Sequence, residues 1–233
     1  MQSPLPIVAI LVFYISFVLK VGPVLMKNRA PMKVDRIVMG YNVLQIFLNV
    51  AIFVLGLRIF PKMNIMCSPV DNTSNMLYLQ YAYFLLKILD LADTIFFVLR
   101  KKSNQVTFLH IYHHFLMVSF TWVTTKFYVG GQVYFLGMPN LLVHIVMYFY
   151  YFLTSWDPVY KKSVWWKKHL TQMQIVQHCF IFVAFLMPLL NPSCTYPKFL
   201  LGVYLTQTIV MIVLFSDFYV KTYVKKNTKS IPF

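Results

Sequence analysis

Runs of about 20 consecutive apolar residues, the length that crosses the hydrocarbon core of a bilayer, recur from one end of the chain to the other. They predict seven membrane-spanning helices, over residues 7–26, 38–59, 77–99, 108–127, 133–155, 170–190 and 199–220. The connecting segments are short and leave no stretch for a separate soluble domain. The expected fold class is therefore all-α: a polytopic integral membrane protein whose residues 1–233 form a single seven-helix transmembrane domain. The first run begins at Ile7 with no basic residue before it and no small-residue cleavage site behind it, so it reads as a span and not as a cleaved signal.

Composition agrees: 59% of residues are hydrophobic and only 12% charged, too little polar surface for a soluble protein of this length. The net charge of +15 would suggest nucleic acid in a soluble chain, but the distribution of basic residues excludes that reading. Fifteen of the 21 Lys and Arg residues fall on one side of the predicted membrane. They are Lys27, Arg29, Lys33 and Arg36; Arg100, Lys101 and Lys102; Lys161, Lys162, Lys167 and Lys168; and Lys221, Lys225, Lys226 and Lys229. The positive-inside rule makes that side cytoplasmic, with the C-terminus cytoplasmic and the N-terminus opposite. Cys67 and Cys194 then share the non-cytoplasmic side, where oxidation is permitted, and are either disulfide-bonded or two free thiols. The sequon Asn72-Thr73-Ser74 lies on that side too. Cys179, inside span six, reads as packing.

Ionisable side chains inside a spanning helix are costly and mark functional sites by default. Span three carries Lys87, Asp90 and Thr94 on one helical face, with Asp93 on its edge. Two readings stand: a buried clasp that sets helix packing, or carboxylates that orient a histidine on a neighbouring helix. Span four opens with His110-Ile111-Tyr112-His113-His114, an HxxHH box with three imidazoles on one face. Span five carries Asn140, His144, Tyr148 and Tyr151 in a single stripe, and span six carries Thr171, Gln174, Gln177 and His178 in another. Thr and Gln at such positions serve as interhelical hydrogen-bond glue or as lining of a site.

Two chemistries suit a histidine cluster: metal ligation, as in membrane di-iron desaturases and hydroxylases, or nucleophilic and acid–base work by imidazole itself. Desaturase-type sites draw on several separated boxes. This chain has one HxxHH box, six histidines in all, and no Glu to supply a carboxylate ligand. Metal-free imidazole chemistry is the stronger reading. A neutral imidazole attacks thioesters readily, and a nearby carboxylate can fix its tautomer. A seven-helix receptor or transporter without catalysis is a third reading, which the buried histidines disfavour.

The segment KILDLADTIFFVLRKK at 87–102, followed by TFLHIYHHF, resembles the motif region of the very-long-chain fatty-acid elongases. NLLVHIVMYFYY at 140–151 and LTQMQIVQH at 170–178 are similar to that family's next two motifs, and GPVLMKNRAPM at 22–32 and Tyr41-Asn42 match as well. The resemblance implies a seven-helix enzyme of the endoplasmic-reticulum membrane enclosing an acyl tunnel. It implies a 3-ketoacyl-CoA synthase that adds the two-carbon unit of malonyl-CoA to a long-chain acyl-CoA, with no metal and no redox cofactor. His113 would be the acylated nucleophile and His144 its partner, with His110 and His114 completing the box and Asp90 and Asp93 supporting it. Lys87, Asn140, Tyr148, Gln174 and Gln177 would line the substrate chamber. Apart from the resemblance, Arg100, Lys101, Lys102, Lys167 and Lys168 at the cytoplasmic span ends suit the CoA phosphates by charge pairing, the alternative being plain positive-inside bias. A Cys67–Cys194 disulfide fits the family. Implied partners are the bilayer and the other enzymes of the elongation cycle. Asp90 stands where many members carry Glu, His178 where Phe is common, and the tail ends KSIPF without a terminal dilysine signal.

Overall fold

The computed structural model describes residues 3–157 and 159–225. The tail lysines Lys226 and Lys229 and the KSIPF terminus lie outside them. The described chain is mainly helical: α1 (Leu5–Met26), α2 (Asp35–Leu57), α3 (Ser74–Leu89), α4 (Leu91–Leu99), α5 (Phe108–Phe127), α6 (Tyr134–Trp156), α7 (Val164–Leu190) and α8 (Lys198–Tyr219), joined by turns and by a longer, mostly irregular connection between α2 and α3. Five helical stretches are long and apolar enough to cross a membrane: Leu5–Met26, Asp35–Leu57, Gly131–Trp156, Val164–Leu190 and Lys198–Val224. The other two predicted spans are also helical but differ in character. Span three is broken at Asp90 into α3 and α4, and span four is the single helix α5, whose apolar run is diluted by its three histidines and Lys126.

The break at Asp90 coincides with a change in hydrogen bonding. The amide of Asp93 bonds the carbonyl of Asp90, three residues back instead of four, and the carbonyl of Leu89 instead takes the phenol of Tyr41 on α2. A buried carboxylate thus sits at the junction of two helical segments, a place where a change of hydrogen-bond register is a recurrent feature of functional helices.

The chain divides into two compact units, with the boundary between Tyr41 and Asn42 inside α2. The first comprises residues 1–41 and 72–129. Its core follows one stripe of α1: Ile7, Leu11, Tyr14 and Val18 are buried against Phe84 of α3, Leu91 and Val98 of α4, and Val118 of α5. Val8, Val12, Phe13 and Leu19 point the other way and are exposed, as lipid-facing residues should be. Since lipid solvates apolar side chains as well as the protein does, close packing and hydrogen bonds must hold such helices together. Gly22 shows how close: a Cβ there would lie 2.6 Å from the side chain of Val98. Just before it, α1 widens into a π turn over Phe17–Val21, and Pro23 supplies no amide to continue the regular ladder.

The second unit comprises residues 42–71 and 130–233, and in it α6 packs on α7 and α7 on α8. One end is clasped by polar contacts. Gln132, fully buried, accepts from the Ser68 amide and donates to the carbonyls of Ile65 and Ala184. Gly131 beside it has φ +64°, and a Cβ there would meet the Pro69 carbonyl at 2.5 Å. Lys198 at the start of α8 donates to the carbonyls of Pro188, Leu189 and Asn191, satisfying the end of α7. Cys67 and Cys194 form a disulfide across this clasp, bridging 127 residues of chain. Of the two sequence readings, bonded or free, the bonded one is realised. Cys179 does not pack inward as expected but is exposed on α7. We expect Cys194→Ser to lower the unfolding free energy of detergent-solubilised protein by about 2–5 kcal/mol, read as a lower thermal midpoint. An unchanged midpoint would show that the Gln132 and Lys198 contacts suffice.

Candidate active site

The polar residues singled out from the sequence fall into a group in each unit. In the first, Lys87 and Asp90 are both 1% exposed and form an ion pair with Nζ 2.8 Å from Oδ2. The ammonium also lies 4.9 Å above the ring of Tyr83, so it is neutralised on one side and faces π-density on the other. Asp93 and Thr94 are buried one helical turn further on. The interior positions follow from the spacing read in the sequence, although the helix is interrupted between them.

On α5 the three imidazoles sit close together. The rings of His110 and His114 are 4.3 Å apart between centroids, and those of His113 and His114 5.6 Å apart and nearly perpendicular. His114 is buried, whereas His113 is only partly so. The helix is started cleanly just ahead of the box: the Thr107 hydroxyl accepts from the His110 amide as an N-cap. His110 in turn meets the Thr94 hydroxyl at 2.9 Å, and Thr94 also meets the phenol of Tyr14 at 2.9 Å. Tyr14 went unnoticed in the sequence because one tyrosine in an apolar run carries no signal.

The basic loops of this unit are tied to each other. The guanidinium of Arg100 pairs with Asp35, the Met32 amide bonds the Leu99 carbonyl, and Lys101 reaches the Lys27 carbonyl. Helix α4 ends with Lys101 at φ 52°, a left-handed position that glycine usually fills, and the amides of Lys101 and Lys102 bond Val98 and Phe97 in the usual reverse pattern. Arg100 and Lys101, expected to bind phosphate, are thus held in place by one contact each and keep further donors.

In the second unit Asn140, His144 and Tyr148 are all buried along one face of α6, directly after Pro139 within the helix. The His144 and Tyr148 rings lie 5.7 Å apart, and Tyr148 continues to Tyr151 at 6.0 Å. On α7, Gln177 and His178 are buried and Gln174 is partly so, with the His178 Nδ1 2.7 Å from the Gln174 carbonyl. Lys167 is exposed and donates to the Lys161 carbonyl. A further stripe was legible but unused: Asn42, Gln45 and Asn49 on α2 are all buried, with the Asn49 amide donating to the Gln45 carbonyl at 2.7 Å. Among the described residues no three His, Cys, Asp or Glu side chains are arranged to hold a metal ion.

Apolar helices of membrane-spanning length define a polytopic membrane protein, with a histidine box on α5 and buried polar stripes on α4, α6 and α7. Comparison with known proteins specifies the class. Residues 1–231 match the model of the ELO: GNS1/SUR4 family, and the chain belongs to that family. It is similar to very long chain fatty acid elongase 4 of Homo sapiens, 36% identical over 96% of this chain and 73% of the relative. It is also similar to very long chain fatty acid elongase 7 of Rattus norvegicus, 37% identical over 97% and 83% respectively. Very long chain fatty acid elongase F of Drosophila melanogaster is 35% identical over 94% and 89%. None of these relatives is a desaturase or hydroxylase, and that alternative falls away.

Proposed function

We propose that the chain catalyses the condensing step of fatty-acid elongation, as a very-long-chain 3-oxoacyl-CoA synthase with acyl-CoA and malonyl-CoA as substrates. The observation that carries this reading is the HxxHH box on α5, lying within a family match that runs the length of the chain. The neutral His113 imidazole attacks the thioester carbonyl, the carbon–sulfur bond breaks, and the ring proton leaves with the thiolate as CoA thiol. Malonyl-CoA then loses carbon dioxide, and the electron pair of the broken bond forms a carbanion that attacks the acyl-imidazole carbonyl. The carbon–nitrogen bond breaks, His113 recovers a proton from solvent, and 3-ketoacyl-CoA results.

In this account His144 assists proton handling and carbanion formation, while His110, His114, Asp90 and Asp93 set the electrostatics of the box. Lys87, Asn140, Tyr148, Gln174 and Gln177 contact substrate, and Arg100, Lys101 and Lys167 hold the CoA phosphates. No metal or redox cofactor takes part. The two histidine-bearing and carboxylate-bearing segments, α5 and α3 with α4, cross the membrane as spans four and three of seven. The protein resides in the endoplasmic-reticulum membrane with its C-terminus cytoplasmic. Its product must be reduced, dehydrated and reduced again, so enzymes of those classes act next.

The test is elongation in elongase-deficient microsomes supplied with labelled malonyl-CoA and a panel of acyl-CoAs. The expected result is acyl chains longer by two carbons. Correctly inserted protein that extends no acyl chain would overturn the reading. Metal analysis of the purified protein should find no stoichiometric iron; one or two irons per chain would instead restore the oxidative alternative.

A further inference from the structure

Three helices of the first unit meet at one hydroxyl. Thr94 of α4 is completely buried, and its Oγ1 lies 2.9 Å from the Tyr14 phenol of α1 and 2.9 Å from Nε2 of His110 on α5. Tyr14 is itself 1% exposed. A buried hydroxyl proton must find an acceptor, and Thr94 Oγ1 is the one hydrogen-bond partner of the Tyr14 phenol among the described residues. Tyr14 therefore donates to Thr94. The single Thr94 proton is then left to point at His110, whose Nε2 must present a lone pair. A neutral imidazole that accepts at Nε2 carries its proton at Nδ1.

We infer that Tyr14 and Thr94 are positioning residues that fix His110 as the Nδ1-protonated tautomer, aiming one N–H donor from a ring packed 4.3 Å from His114 within the box. The inference rests on the function proposed above for its catalytic consequence, but not for the tautomer itself. The His110 ring also lies 5.4 Å from that of Phe97, a packing contact that restricts its motion. The chain of donors gives His110 a task different from that of His113. With Nε2 occupied by Thr94 it is not free to act as a nucleophile there. It can instead hold its neighbours in the box in one protonation pattern while an acyl group is transferred.

The alternative role for such a chain is interhelical glue, which would alter stability and leave chemistry alone. Four variants separate the two: Thr94→Val removes the hydroxyl at constant shape, Thr94→Ser keeps it, Tyr14→Phe removes the first donor, and His110→Ala identifies the ring. Nitrogen NMR of reconstituted, histidine-labelled protein should show an Nδ1-protonated, Nε2-accepting ring that disappears in His110→Ala. In Thr94→Val that ring should shift to a mixture of tautomers or to the Nε2-protonated form, and in Thr94→Ser it should stay. An Nε2-protonated His110 in the wild type overturns the inference whether or not the protein elongates anything.

In the elongation assay, Thr94→Val should lower kcat roughly tenfold with little change in KM, about what one orienting hydrogen bond supplies. Tyr14→Phe should fall between it and wild type, and Thr94→Ser should retain most of the rate. Loss of thermal stability in Thr94→Val with kcat unchanged would assign the chain to packing and overturn its catalytic part. A wild type that fails to elongate would instead overturn the proposed function, leaving the NMR result to decide the tautomer.

Discussion

Lys87→Met should destabilise the protein by about 3–5 kcal/mol, the usual cost of removing one partner of a buried ion pair. Both side chains are 1% exposed and 2.8 Å apart, so solvent can screen neither charge. Asp90→Asn should cost less, because the remaining ammonium keeps the Tyr83 ring 4.9 Å away and the Asn side chain still offers it a carbonyl oxygen. The double variant Lys87→Met/Asp90→Leu should be more stable than Lys87→Met alone, since removing both charges removes the desolvation cost with the attraction. Thermal unfolding in detergent gives the three values. The same variants decide between the two readings that the sequence leaves open. If the pair is only a clasp, the stabilised double variant elongates normally; if it shapes the site, stability returns and activity does not.

The largest expected effect on chemistry is at His113. Removing the proposed nucleophile of a covalent mechanism should lower turnover by on the order of 10³-fold or more, with little change in stability at this partly exposed position. His144→Ala should be comparably inactive in the complete reaction, but for a different reason. If His144 serves the second half-reaction, its variant still releases one equivalent of CoA per enzyme when given acyl-CoA alone, and His113→Ala releases none. A burst measured for both, or for neither, would show that the roles have been assigned wrongly.

Much of this was legible in the chain because a bilayer leaves few options. Apolar runs gave helices whose observed ends at Phe108, Phe127 and Leu190 coincide with the predicted span ends. The interior positions of Asp90, Asn140, His144 and Gln177 followed from helical spacing and the cost of polar side chains in lipid. The break of span three at Asp90 did not, because it depends on where the Leu89 carbonyl finds a partner, and that partner is Tyr41, 48 residues away. Tyr14 was hidden for the same reason: its role depends on Thr94, 80 residues on in the chain. The contacts of Gln132 and Lys198 are likewise made with distant backbone carbonyls, which no local pattern reveals. The Asn42, Gln45 and Asn49 stripe, by contrast, had the i, i+3, i+7 spacing of an interior face and could have been read.

The central claim is that an acyl group passes through His113. Purified protein incubated with a long-chain acyl-CoA, without malonyl-CoA, and then quenched and digested should yield the 103–126 peptide carrying one acyl mass. Fragmentation should place that mass on His113, and adding malonyl-CoA before the quench should remove it. An enzyme that elongates while this peptide stays unmodified, or that acylates it at another residue, would contradict the account.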